Sequence, residues 1–186
     1  NLSPSVVRFT SAGGAVTISG AVGSNKPIAS LVVDSATLSA SNIATTTSFS
    51  VTNSAAASIT GAISGASTFT KAGSGTLTLS GASSYTGSTT INGGTLKFTS
   101  GASIYASDIT TNLYVNAGAV LDVYSWGWYG NLGGLRFDAS NMVVNGGTVR
   151  YSGTTGGTWR SFTVGSSGAT FDSANAGVTW SLDQGS

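Results

Sequence analysis

KAGSGTLTLSGASSYTGSTTINGGTLKF, from Lys71 to Phe98, decides the fold. Two short runs, Thr76-Leu77-Thr78-Leu79 and Thr89-Thr90-Ile91, alternate polar and apolar residues. Thr95-Leu96-Lys97-Phe98 opens the next run, and glycine-rich turns separate all three. Alternation with period two over a few residues, bounded by glycine, is the pattern of short half-buried strands. Looser copies lie on both sides. They are Phe9–Ile18, Val33–Leu38, Val51–Ile59, Phe69–Leu79, Ile91–Leu96, Val115–Leu121, Val144–Val149 and Val164–Phe171.

The first residues of these copies are spaced by 24, 18, 18, 22, 24, 29 and 20. The mean, about 22, is the length of one coil of a β-solenoid. No window carries an apolar stripe at i, i+3 and i+4, and β-branched residues are abundant, so helices are excluded. One coil cannot bury its apolar face, whereas stacked coils can. The expectation is therefore an all-β parallel β-helix of about eight coils of roughly 22 residues, filling 1–186 as a single segment.

In the second strand of each coil the inward residues are expected to be Val16 and Ile18, Leu38, Ile59, Leu77 and Leu79, Leu96 and Phe98, Leu121 and Val123, Val149 and Tyr151, and Phe171. The outward residues begin as hydroxyls: Thr17, Thr37, Ser58, Thr60, Thr76 and Thr78. They become Lys97, Asp122, Arg150 and Asp172, which alternate in sign. Opposite charges on neighbouring strands support pairing by up to about 1 kcal/mol, so these four should form a surface charge ladder. The cost of reversing the charge at Asp122 should be small but measurable.

Composition narrows function. Apolar residues make up 40% of the 186, as in a folded protein, but charged residues only 7%. The regular placing of Val, Ile, Leu and Phe argues against disorder. A net charge of +1 gives no electrostatic case for nucleic acid or an anionic membrane. With no cysteine or histidine, disulfides and thiolate metal sites are excluded, and no cofactor is implied. No apolar stretch is long enough to cross a bilayer as a helix, and no basic-then-apolar pattern opens the sequence, so a signal peptide is expected to have been cleaved or the sequence to be a piece of a longer protein. Both ends fall in mid-coil without a capping helix. The chain is thus expected either to continue in a longer protein or to stack end to end.

Gly73 to Leu96 closely resembles the passenger-associated transport repeat of bacterial autotransporters, also called the autotransporter-associated β-strand repeat. The family pattern is G-x-G-T-L-T-L-S-G-x-N-x-Y-x-G-x-T-x-[IV]-x-x-G-x-L, and the clear departure is Ser83, where asparagine is usual. Ala119–Val123 with Gly133-Gly134-Leu135, and Ser161–Asp172, resemble other coils of that family. The resemblance implies a right-handed parallel β-helix, exported and displayed at or released from the surface of a Gram-negative-type bacterium. It implies a structural or adhesive role without catalysis. The expected partners are a glycan or cell-surface receptor, or further copies of the chain, and not nucleic acid or a membrane interior.

Two regions invite a sharper reading. The longest coil holds Tyr124, Trp126, Trp128 and Tyr129, the densest aromatic cluster, and should bulge from the rod. Exposed rings there would make a sugar-stacking platform, although lateral packing against the rod is the favoured reading. Asp122 and Asp138, with Arg136 and Arg150 near them, are the only grouping that could supply acid–base chemistry. Six acidic residues, all aspartate and scattered, disfavour a carbohydrate-processing enzyme, and solvated surface charge is preferred for them. Thr76 and Thr78 suggest an ice-binding array, but only one rung carries the motif. Tyr85 is expected to be a fixed turn residue of the repeat.

Overall fold

The computed structural model describes residues 5–104, 112–126, 130–132, 139–153, 161–176 and 178. Its strands are β1 (Val6–Ile18), β2 (Ile28–Ala40), β3 (Ile43–Asn53), β4 (Ala57–Ile59), β5 (Ile63–Ser64), β6 (Thr68–Ala72), β7 (Thr76–Leu79) and β8 (Thr89–Ile91). They continue as β9 (Gly94–Phe98), β10 (Leu113–Asn116), β11 (Ala119–Val123), β12 (Met142–Asn145), β13 (Thr148–Tyr151), β14 (Thr163–Val164) and β15 (Thr170–Ser173). A single 3-10 turn, Ala139–Asn141, precedes β12 among the described residues. Every strand pairing is parallel, in the order β14-β12-β10-β8-β6-β3-β2-β4-β7-β9-β11-β13-β15.

That order folds around a corner. The first half of β2 pairs with β3 and the end of β2 pairs with β4. β6, β8, β10, β12 and β14 then climb one wall, while β7, β9, β11, β13 and β15 climb the next. A third wall is sketched by the pairing of Ile43 with Ile63 and the bridge from Val22 to Ile43. The result is a parallel β-solenoid of about 7 turns at ~22 residues per turn. The eight copies read from the sequence are the rungs that bound those turns.

Side chains of like position stack into columns. On the second wall Leu77, Leu96, Leu121, Val149 and Phe171 share one column, and Ile59, Leu79 and Phe98 belong to the next. The inward residues expected from alternation are buried, apart from Val16, Ile18 and Phe171, which sit in the end rungs and pack partly against the core. On the first wall Phe49 stacks on Phe69 at 5.3 Å and Tyr85 meets Phe69 edge-on at 5.9 Å. Above Phe69 the same column holds Thr89, which is too small to fill it. Tyr85 enters the core beside it and bonds its hydroxyl to Thr89 Oγ1 at 2.6 Å.

The register moves one expected anchor. Val51 pairs with Lys71 and Phe49 with Phe69, so the fourth rung is anchored at Lys71 and not at Phe69. The steps on either side become 20 and 20. Lys71 therefore lies in an inward column, between Val51 and Ile91. Strand alternation leaves no choice, because Phe69 two residues earlier also points inward.

Backbone crowding selects glycine at the corners. Gly73 has φ 78°, and a Cβ there would meet the Asn53 carbonyl oxygen of the coil below. Gly81 lies on the backbone of Gly61 with no room for a side chain.

Candidate functional site

The aromatic coil leaves β11 through Tyr124, Ser125 and Trp126. Tyr124 is 37% exposed, whereas Trp126 is buried and belongs to the core. An indole packed this way offers no face to a sugar ring, so the surface part of this candidate, among the described residues, is Tyr124. Trp128 and Tyr129 lie outside the described residues, as do Arg136, Asp138 and Gly133 to Leu135.

Asn131 ties this coil down. Its Oδ1 accepts hydrogen bonds from the Tyr124 and Ser125 amides at 2.7 and 2.6 Å. Its Nδ2 donates to the carbonyls of Thr99 and Ala102 at 3.0 and 2.5 Å. Its carbonyl accepts from the Ile104 amide at 2.8 Å. One buried amide side chain thus joins the start of the excursion, at Tyr124 and Ser125, to the coil below. Nothing in the local sequence announces this, because two of the four partners are 29 and 32 residues away.

The charged column exists as a ladder. Thr78 pairs with Lys97, Lys97 with Asp122, Asp122 with Arg150, and Arg150 with Asp172. Arg150 Nε donates to Asp172 Oδ2 at 2.7 Å, with both side chains about two-fifths exposed. Lys97 Nζ stands 3.9 Å from Asp122 Oδ2. Asp122 departs from the expected solvated charge, because its residue is only 5% exposed. Its neighbours in the column are two long basic side chains, Lys97 on one adjacent rung and Arg150 on the other. Below Thr78 the same column continues as Ser58, Ser39 and Thr17. Thr37 and Thr76 belong to the neighbouring outward column, and Thr60 follows β4. Among the described residues no group of three or more His, Cys, Asp or Glu side chains could hold a metal ion.

The repeat itself turns its reactive groups inward. Lys71 is fully buried, and its ammonium donates to the carbonyls of Ala72, Gly73 and Gly93 at 2.7, 3.1 and 3.1 Å. Burial pulls its pKa from 10.5 down to about 8. In the coils below, corner carbonyls find donors from a position two residues later. Asn53 Nδ2 donates to Ala55 and Thr76, and Ser35 Oγ donates to Thr37. Gly73 has no side chain to do this, and Lys71 reaches the corner from one inward position earlier.

The passenger-associated-transport-repeat family matches residues 69–98. These residues are a passenger-associated transport repeat. Along 85 residues, 46% of its length, the chain is also 36% identical to the "Adhesin BmaC autotransporter" of Brucella suis biovar 1 (strain 1330). That alignment covers 2% of the curated protein, so the likeness is partial and distant. No solved structure matches.

Within the transport repeat, Ser83 stands where the family usually has asparagine. It is buried, and its Oγ accepts the Ile63 amide at 3.1 Å. A shorter side chain thus still supplies an acceptor to the coil below. The repeat runs from β6 to β9 and pairs in register with the coils on either side. It is one level of a continuous ladder.

Proposed function

We propose that this chain is a non-catalytic, extracellular β-helix segment of a bacterial surface passenger of the autotransporter type. Its role is structural and adhesive: it forms a stiff, laterally displayed rod. The observation that carries this reading is the fate of the repeat's chemistry. Lys71, Ser83, Tyr85 and Thr89 are all buried and are bonded to backbone or to one another. A site that acted on a substrate would present such groups to solvent, and here they hold coils together.

A glycan or host-surface receptor, met along the side of the rod, is the partner class that goes with this role. Antibodies raised against the purified chain should label intact cells of the source bacterium. Labelling that appears only after permeabilisation would overturn surface display. Release of reducing ends from polysaccharides by the purified chain would overturn the non-catalytic part.

A further inference from the structure

One sequence pattern closes a corner twice. Ile91-Asn92-Gly93-Gly94-Thr95 and Val144-Asn145-Gly146-Gly147-Thr148 differ only in their branched apolar first residue. Each asparagine follows an inward anchor on the first wall, and each lies just before a strand of the second wall. Asparagine followed by glycine is a reactive pair. With no Cβ on the second residue, its main-chain nitrogen can approach the asparagine side-chain carbon and displace ammonia. The local sequence gives both pairs the same intrinsic reactivity, so a difference between them comes from the coils around them.

The two corners hold the pair differently. After Asn145 the left-handed glycine is the first one, Gly146 at φ 77°, and its amide donates to the Gly168 carbonyl at 2.7 Å. Asn145 Oδ1 accepts the Ser167 amide at 2.9 Å, so both reacting groups are tied to the next rung. In the transport repeat the left-handed glycine is the second one, Gly94 at φ 61°. The Gly93 carbonyl is held by the Lys71 ammonium at 3.1 Å, but the Gly93 amide has no acceptor among the described residues. Asn92 is exposed, and its Oδ1 accepts a hydrogen bond from Asn116 Nδ2 at 2.7 Å. That donor draws charge from the carbon under attack and faces the oxygen on which negative charge develops.

We propose that Asn92 is a self-modification site, converted to aspartate through attack by the Gly93 amide. The Gly93 nitrogen gives its proton to solvent and bonds to Asn92 Cγ. The Cγ–Nδ2 bond breaks, ammonia leaves, and a cyclic imide remains. Water then adds at Cγ and breaks the new Cγ–N bond, and the Gly93 nitrogen regains a proton. The net change is side-chain amide plus water to carboxylate plus ammonium. Addition of water at the main-chain carbonyl would instead leave isoaspartate, with one more carbon in the main chain. The corner has no room for it, because even a Cβ on Gly94 would meet the carbonyl oxygens of Gly73 and Gly75, and Lys71 fixes the Gly93 carbonyl. Aspartate keeps the main chain in place, retains an acceptor for Asn116 and removes one unit from the formal net charge of +1. The reaction needs only water and is independent of the surface-passenger reading.

Peptide mapping by mass spectrometry tests the proposal, after incubation of the folded 186-residue chain in mildly alkaline buffer. Conversion at Asn92 should outpace that at Asn145 about tenfold, the factor imposed by having to break one hydrogen bond first. Aspartate should exceed isoaspartate. In urea the two sites should react at one rate, with isoaspartate the main product. Asn92→Gln lengthens the side chain, disfavours the ring and should remove the early acidic band on isoelectric focusing. A folded chain that converts both sites equally, or Asn145 first, overturns the proposal. So does a folded chain left unchanged at Asn92 while its unfolded counterpart converts, or one that yields mainly isoaspartate there.

Discussion

The coil that begins at Lys71 and the coil that begins at Val115 solve one problem in opposite ways. Each must close a circuit and find partners for backbone groups that the ladders leave over. The transport repeat does so from within. Lys71 caps its corner, Tyr85 fills the space beside Thr89, and every donor is within a coil's reach. The aromatic coil is the longest, and Asn131 holds it to the previous coil through two side-chain hydrogen bonds and to its own Tyr124 and Ser125 through two more. Regular coils distribute their stability, whereas an irregular coil concentrates it in a single side chain.

Tyr85→Ala should separate the two regimes most widely. It removes a fully buried ring from the centre of the rod and should cost about 4 kcal/mol. Because the ring touches Phe69, the loss should appear in global urea unfolding, with amides far from position 85 losing protection together. A loss confined to the turn around Tyr85 would show that coils unfold independently.

Asn131→Ala comes next, at about 3 kcal/mol, since it strands several buried backbone groups. Here the damage should stay local. Hydrogen exchange should accelerate at the Tyr124 and Ser125 amides, with the Lys71 coil unaffected. Equal acceleration in both coils would erase the contrast.

The smallest effect is a pH dependence at Lys71. Burial lowers its pKa in the folded chain to about 8, against 10.5 in the unfolded one. Between those values the unfolded chain binds a proton that the folded chain does not, so stability rises with pH. The slope should be about half of its full value at pH 8, approach about 1.4 kcal/mol per pH unit near pH 9, and vanish only about a pH unit or more below 8. Lys71→Met should remove the slope. A wild-type curve as flat as that of the variant would mean that the ammonium stays charged at its carbonyls throughout.

Much of the fold was legible because its rules are periodic. Alternation identified the inward columns, the coil length followed from repeated anchors, and Lys97, Asp122, Arg150 and Asp172 fell on one ladder as expected. The misses have particular causes. Phe69 resembled an anchor because it is apolar, while Lys71 was passed over because it is charged. Alternation alone, applied to Phe69-Thr70-Lys71, places the lysine inside. Asp122 was expected to be solvated because strand geometry gives its direction but not what its neighbours cover. Asn131 was invisible because its meaning lies in carbonyls a whole coil earlier. Of the aromatic candidate, Trp126 shows why ring density alone does not mark a binding surface: this ring packs into the core.

The ladder hydrogen bonds between successive rungs point along the length of the molecule, and the strands of each rung bond only to the rungs next to it. Tension applied between the two ends therefore loads the interfaces in series. The terminal coil peels first, and its neighbour feels strain only after it has gone. A rod built this way yields in increments of one coil and lengthens under pull without losing the rest of its structure.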